Sequence, residues 1–156
     1  MGDRVSVTLT VLTAHAKQVE DICSDSQDWK ETSGEFTYLT FHEVNYGELD
    51  FLYELENAGI PYTSDWDQGG DFAAGNKTLR FTSNGEAITK EVYDKYVNPD
   101  IDDLMKLFND HEALKQYITD HYNEVTPLPW DNQEYNAKIY RACRLIEGDK
   151  HEPTNT

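Results

Sequence analysis

The chain has 156 residues, with 30 Asp or Glu against 13 Lys or Arg, for a formal net charge of −17. A pI near 4.4 means repulsion of phosphate and of anionic lipid at long range, which argues against a direct nucleic-acid binder and against a membrane-surface protein. Ten Tyr and three Trp argue against a disordered chain, and 156 residues are enough to close one sizeable core.

Residues 5 to 11 alternate Val5, Val7, Leu9 and Val11 with Ser6, Thr8 and Thr10, the period of a strand with one buried face. Ala14 to Cys23 reads as a short amphipathic helix with Ala16, Val19 and Ile22/Cys23 on one side. Ser24 to Gly34 reads as a polar connection carrying Trp29, and Phe36 to Val44 as a second strand rich in aromatic and branched residues. Gly47 introduces a predicted helix over 48–58, whose inward stripe is Leu49, Leu52 and Leu55. Gly59 is its predicted C-cap, and Ile60-Pro61-Tyr62 opens an extended segment.

Thr78 to Thr82 and Glu86 to Tyr93 flank Ser83-Asn84-Gly85, a hairpin signal because Asn and Gly both tolerate positive φ. Beyond Asn98-Pro99 the spacing turns helical, first through Ile101, Leu104, Met105 and Phe108, then through Leu114, Tyr117, Ile118 and Tyr122. Pro127-Leu128-Pro129 interrupts. Asp131 with Glu134 then predicts a capping box, with Trp130 and Tyr135 as its hydrophobic staple. Ile139, Ala142 and Leu145/Ile146 form the predicted buried face of the last helix. The expected fold is α+β, a βαβαβ unit plus a β-hairpin in one mixed sheet, followed by three C-terminal helices. One domain over 1–147 and a flexible tail over 148–156 complete the expectation.

Met1-Gly2-Asp3-Arg4 runs straight into the first strand without an apolar h-region, so no signal peptide is expected. No apolar run approaches about 18 residues. Cys23 and Cys143 are far apart and read as reduced packing residues, so the expected location is cytoplasmic.

The charge is unevenly spread. Between Lys30 and Lys77 there is no basic residue, although 46 residues at the chain average would hold about four. The interval carries ten acidic ones, so −10 of the −17 resides there and −7 in the other 110 residues. On the predicted 48–58 helix, Asp50, Tyr53, Glu54 and Asn57 lie opposite the leucine stripe. Asp50 and Glu54 stand one turn apart, a like-charge spacing that helix formation does not favour. Tyrosine and tryptophan beside such a field have the composition of a protein-binding surface, where aromatics anchor and charge steers. The plainer reading is an acidic solvated surface that keeps the chain soluble while the aromatics fill the core.

Asp65-Trp66-Asp67-Gln68-Gly69-Gly70-Asp71 is the most site-like stretch, since close carboxylates with Gly-Gly can wrap a hard cation. As an EF-hand loop it fails, with Gly69 at position five and Asn76 at position twelve. No CxxC, HxxxH or HExxH zinc motif, no phosphate loop and no G-x-S-x-G nucleophile motif occurs, so no cofactor is expected. The histidines at 15, 42, 111, 121 and 151 are scattered.

The stretch from Asn45-Tyr46-Gly47 through Gly59-Ile60-Pro61-Tyr62 to Trp66 and Gly75, ending in Arg80-Phe81, resembles small acidic accessory proteins of phages and conjugative plasmids. That resemblance implies a part in the contest between mobile elements and their hosts. The functional expectation is an acidic, non-enzymatic inhibitor of a basic nucleic-acid-handling host protein, of anti-restriction or anti-CRISPR type, with surface carboxylates standing in for phosphates. Its expected partner-binding residues are Asp50, Tyr53, Glu54, Asp65, Trp66, Asp67 and Asp71. An immunity protein for a cationic nuclease toxin and a small metal-dependent enzyme using the Asp65–Asp71 loop are the alternatives.

Overall fold

The computed structural model describes residues 3–149. Its strands are β1 (Arg4–Leu12), β2 (Trp29–Ser33), β3 (Phe36–Asn45), β4 (Tyr62–Trp66), β5 (Gly75–Phe81) and β6 (Ala87–Tyr93). The helices are α1 (Ala16–Ile22), α2 (Leu52–Asn57), α3 (Ile101–Leu107), α4 (His111–Val125) and α5 (Gln133–Asp149). The class is α+β. The six strands form one sheet in the order β2-β3-β1-β4-β5-β6, and every neighbouring pair is antiparallel.

This corrects the expected mixed sheet, and the reason is β2. The segment read as a connection contains a strand whose five residues are all exposed, so it shows no alternation. Backbone pairing to β3 across the Gly34 turn holds it, with Gly34 at φ +60. Adding β2 gives β1-α1-β2-β3-α2-β4, the split βαβ order. Each helix still joins two strands running the same way, but a third strand lies between them, so no parallel neighbours remain.

Alternation sets the two faces of the sheet. Val7, Leu9 and Val11 align with Phe41, Leu39 and Thr37 on one side and with Trp66, Ser64 and Tyr62 on the other. All nine are buried, and this face packs against Val19 of α1, Leu55 of α2, Leu49, Ile60 and Ala137 of α5. Leu49 and Leu55 keep the inward role that their spacing predicts, while Leu52 is half-buried. Helix α2 is shorter than expected because Tyr46 and Gly47, at φ +53 and +70, reverse the chain before it. Gly59 takes the left-handed C-cap conformation at φ +65. Gly85 does so at φ +80 in the β5–β6 loop, with Asn84 remaining at negative φ, so the loop closes on three residues.

The second face is covered differently. Thr78, Arg80 and Val92 are buried there beneath the chain that follows α4. Lys90 donates to the carbonyls of Asn123 and Thr126, and Arg80 to that of Leu128 at 3.2 Å. The Arg80 guanidinium lies 3.6 Å from the Trp130 ring centroid, and Trp130 meets Phe36 edge-on. Trp130 is therefore no staple for Tyr135, which is exposed, and Glu134 pairs with Lys138 at 2.8 Å.

Helix α5 then starts at the end of the sheet and lies on the first face. Its buried residues are Gln133, Asn136 and Ala137, with the Tyr140 ring tilted against Phe81 at a centroid distance of 4.5 Å. The side-chain amide of Gln133 brackets Phe81, accepting from its N–H at 2.8 Å and donating to its C=O at 3.0 Å. Asn136 donates to the same carbonyl, and Arg141 to that of Gly59. Of the expected buried face Ile139 is half-buried, and the fully buried positions are instead Gln133, Asn136 and Ala137. Ala142, Leu145 and Ile146 are exposed, as are Ile101, Met105 and Phe108 of α3 and Ile118 and Tyr122 of α4. Asp100 and Asp110 cap α3 and α4 through backbone N–H groups. Of the predicted tail, residues 150–156 lie outside the described residues, and α5 itself continues through Gly148. Cys23 and Cys143 are both free.

Two predictions follow from the docking of α5. Gln133→Ala leaves a buried N–H without its partner and should lower stability in urea unfolding by about 2 kcal/mol. His15 is buried with Nε2 unpartnered among the described residues. Burial, then the Arg141 charge, lowers its pKa from 6.5, with Glu134 opposing. The unfolded chain therefore binds this proton first on acidification. Its contribution is complete above pH 6.5 and declines below it until the folded form protonates too. His15→Gln should flatten the fall in urea midpoint between pH 7 and pH 5.5.

Candidate functional site

Loop 46–50 and α2 stand over the first face of β4, β5 and β6 and enclose a cleft of about 360 Å³. Its walls form because period-two alternation points Ser64 and Trp66 of β4, Lys77 of β5, and Glu91 and Tyr93 of β6 to the same side. Loop 46–50 adds Tyr46, Glu48 and Asp50, α2 adds Tyr53, and Phe72 closes one side.

Trp66 is the floor. It is 6% exposed, donates its indole N–H to the Ala73 carbonyl at 3.0 Å, and packs against Phe72 and Tyr93 at centroid distances of 6.2 and 5.7 Å. Glycines make room for it. A Cβ on Gly47 would stand 2.6 Å from Trp66 Cγ, and one on Gly75 would stand 2.7 Å from its Cζ2. Tyr46 meets Phe72 edge-on at 5.9 Å, so the aromatic lining is continuous.

Three carboxylates, Glu48, Asp50 and Glu91, face one ammonium, Lys77. Lys77 and Glu91 are register partners but close no ion pair, and none of the three carboxylates has an ion-pair partner among the described residues. Tyr93 donates to Glu91 Oε1 at 3.0 Å, and that bond pushes its hydroxyl pKa up, with the Glu48 charge adding. Ser64 is fully buried in this wall, and its Oγ has no hydrogen-bond partner among the described residues. A buried hydroxyl without a partner is costly.

The expected binding residues divide. Asp50, Tyr53 and Trp66 come together in the cleft, Trp66 as a buried part of its lining. Tyr53 is 71% exposed at the rim, and Glu54 is exposed on α2 outside the lining. Asp65 points the other way, since it pairs in register with Thr8 and Asn76 on the opposite face. Its pKa is raised by desolvation first and Asp94 next, with Arg80 opposing. Asp67 and Asp71 are exposed on the loop after β4, where the Asp71 N–H donates to Asp3 Oδ2. The expected residues therefore do not all lie on one face of the sheet. A strand points its residues to alternate sides, and Asp65 falls on the wrong one. Among the described residues no three His, Cys, Asp or Glu side chains converge as metal ligands. No helix among the described residues is long and apolar enough to cross a membrane.

Glu48, Lys77, Glu91 and Tyr93 were not legible as site residues. The Thr89, Glu91, Tyr93 alternation marked a shared face, but which face it was depended on strand pairing.

Compared with protein-family models, curated proteins and solved structures, the chain matches none. The residues that carry the resemblance to phage and plasmid accessory proteins have structural work here: Gly47 and Gly75 accommodate Trp66, Gly59 ends α2, and Arg80 anchors the crossing chain.

Gly47→Ala should destabilise the protein more than Gly34→Ala. Both sit at positive φ, but a Cβ on Gly34 meets nothing within 4 Å whereas one on Gly47 meets the indole. Left-handed strain accounts for about 1–3 kcal/mol in each. The excess in urea unfolding of the Gly47 variant measures the contact with Trp66.

Proposed function

We propose that the protein is a non-catalytic acidic binding protein whose cleft receives a cationic side chain from a basic partner, with a nucleic-acid-handling host protein as the class of partner. The observation that carries this is the cleft itself. Three carboxylates that close no ion pair among the described residues stand beside a lining of Tyr46, Tyr53, Trp66, Phe72 and Tyr93. A guanidinium or ammonium gains there from charge and from aromatic faces together. The net charge of −17 steers a positive surface toward it from a distance.

Phosphate mimicry narrows accordingly. Asp50 and Glu54 on the α2 side remain candidates for contacts with a basic groove, with Glu48 and Glu91 added from the cleft. Asp65 does not belong to that surface. A cationic nuclease toxin would satisfy the same cleft, so an immunity role differs only in the partner's identity.

The test is capture from host lysate on immobilised protein at 50 and 500 mM salt, where screening shortens from roughly 14 to 4 Å. Basic proteins should be retained at low salt, lost at high salt, and displaced by added duplex DNA. The Asp50→Asn/Glu91→Gln double variant should retain at least tenfold less of them. Equal retention by the variant, or retention indifferent to salt, would refute the proposal.

A further inference from the structure

A second cleft, of about 480 Å³, lies between β6, the turn at Asp94–Tyr96 and α4. Glu91 and Tyr93 line both this cleft and the first. The two are therefore neighbours across one shared wall. That wall belongs to β6, the last strand of the sheet.

The second cleft repeats the chemistry of the first. Glu124 joins Glu91, and Tyr96 and Tyr117 join Tyr93, while the Asp100 carboxylate is engaged in capping α3. Lys95 shows what the aromatic side attracts. Its ammonium nitrogen stands 4.8 Å from the Tyr96 ring centroid and 5.9 Å from that of Tyr93. It makes no ion pair with a carboxylate among the described residues. The chain's own lysine occupies the place of an incoming cation. In the first cleft the hydroxyl of buried Ser64 has no hydrogen-bond partner among the described residues.

We infer that the element recognised on the partner is an extended segment with two cationic side chains, one for each cleft, laid across the Glu91–Tyr93 wall. An extended chain fits because the clefts flank an edge strand, and separate cationic groups fit because each cleft has its own carboxylates. Joining two weak sites on one ligand makes the second contact intramolecular, so the pair binds more tightly than either alone. This inference rests on the cationic-partner reading above and specifies it.

The probes are blocked peptides Gly-Arg-Glyn-Arg-Gly, with n from one to four, and the single-arginine peptide Gly-Arg-Gly, titrated by NMR at 20 mM salt. At the best spacing the two-arginine peptide should bind at least tenfold more tightly than the single one. Asp50→Asn, in the first cleft only, and Glu124→Gln, in the second only, should each bring its affinity down to the single-arginine level. Both residues are exposed, so neither change should disturb the fold. Lys95→Ala should strengthen binding several-fold more than Lys115→Ala, an equal change of charge at a lysine that lines neither cleft. If no arginine peptide binds at all, the cationic-partner reading falls and this inference with it. If one and two arginines bind equally, or only one of the two cleft variants weakens binding, the two-cleft inference falls while the cationic-partner reading stands.

Discussion

The indole of Trp66 has Gly47 on one side and Gly75 on another, and the acidic side chains above it take their positions from that contact. Gly47 lets loop 46–50 come down onto the ring, which brings Glu48 and Asp50 over the sheet. Gly75 lets β5 pass beside the same ring, which brings Lys77 and, through β6, Glu91 beneath them. A methyl group at either glycine would fall within 3 Å of the indole. Charges that repel one another are thus gathered by an apolar contact. The packing of one aromatic ring brings three carboxylates and one ammonium into a single lining.

The C-terminal third is fastened by polar groups where apolar ones were the obvious choice. Phe81 ends β5, and the Gln133 amide takes up its N–H and C=O as a further strand residue would. On the other face Arg80 reaches backbone oxygens and Thr63 and lies against Trp130. Burial pulls its pKa down to about 10, which leaves it charged at neutral pH. These directional bonds hold α5 and the 126–130 segment at defined places on the sheet. They also leave the larger apolar residues of α3 and α5 facing outward.

The acidic excess has two parts with different physics. Carboxylates such as Glu20, Glu43 and Asp103 have cationic neighbours and belong to ordinary surface pairs. Those of the cleft close no ion pair among the described residues, although Lys77 lines the same cleft, and they stand beside aromatic rings. Position within the fold, and not the number of acids, separates the two groups.

Much of the fold was legible in the chain. Val5 to Val11 announced a half-buried strand, Leu49 and Leu55 an inward stripe, and Gly59 and Gly85 the ends of their elements, because each depends on local spacing or backbone freedom. Strand β2 was not legible, since an edge strand exposed on all sides has no alternation and forms only where a neighbour offers backbone groups. The docked face of α5 was hidden for a related reason: Gln133 and Asn136 read as solvent residues until a strand end needs their amides. The sequence by itself determined the charge, the cation-free interval and the alternation that sends Asp65 and Trp66 to opposite sides. Only the tertiary structure decided which side faces α2, and with it which carboxylates share a cleft, because strand order brings together residues as distant as Glu48 and Glu91 through pairings that no local pattern encodes.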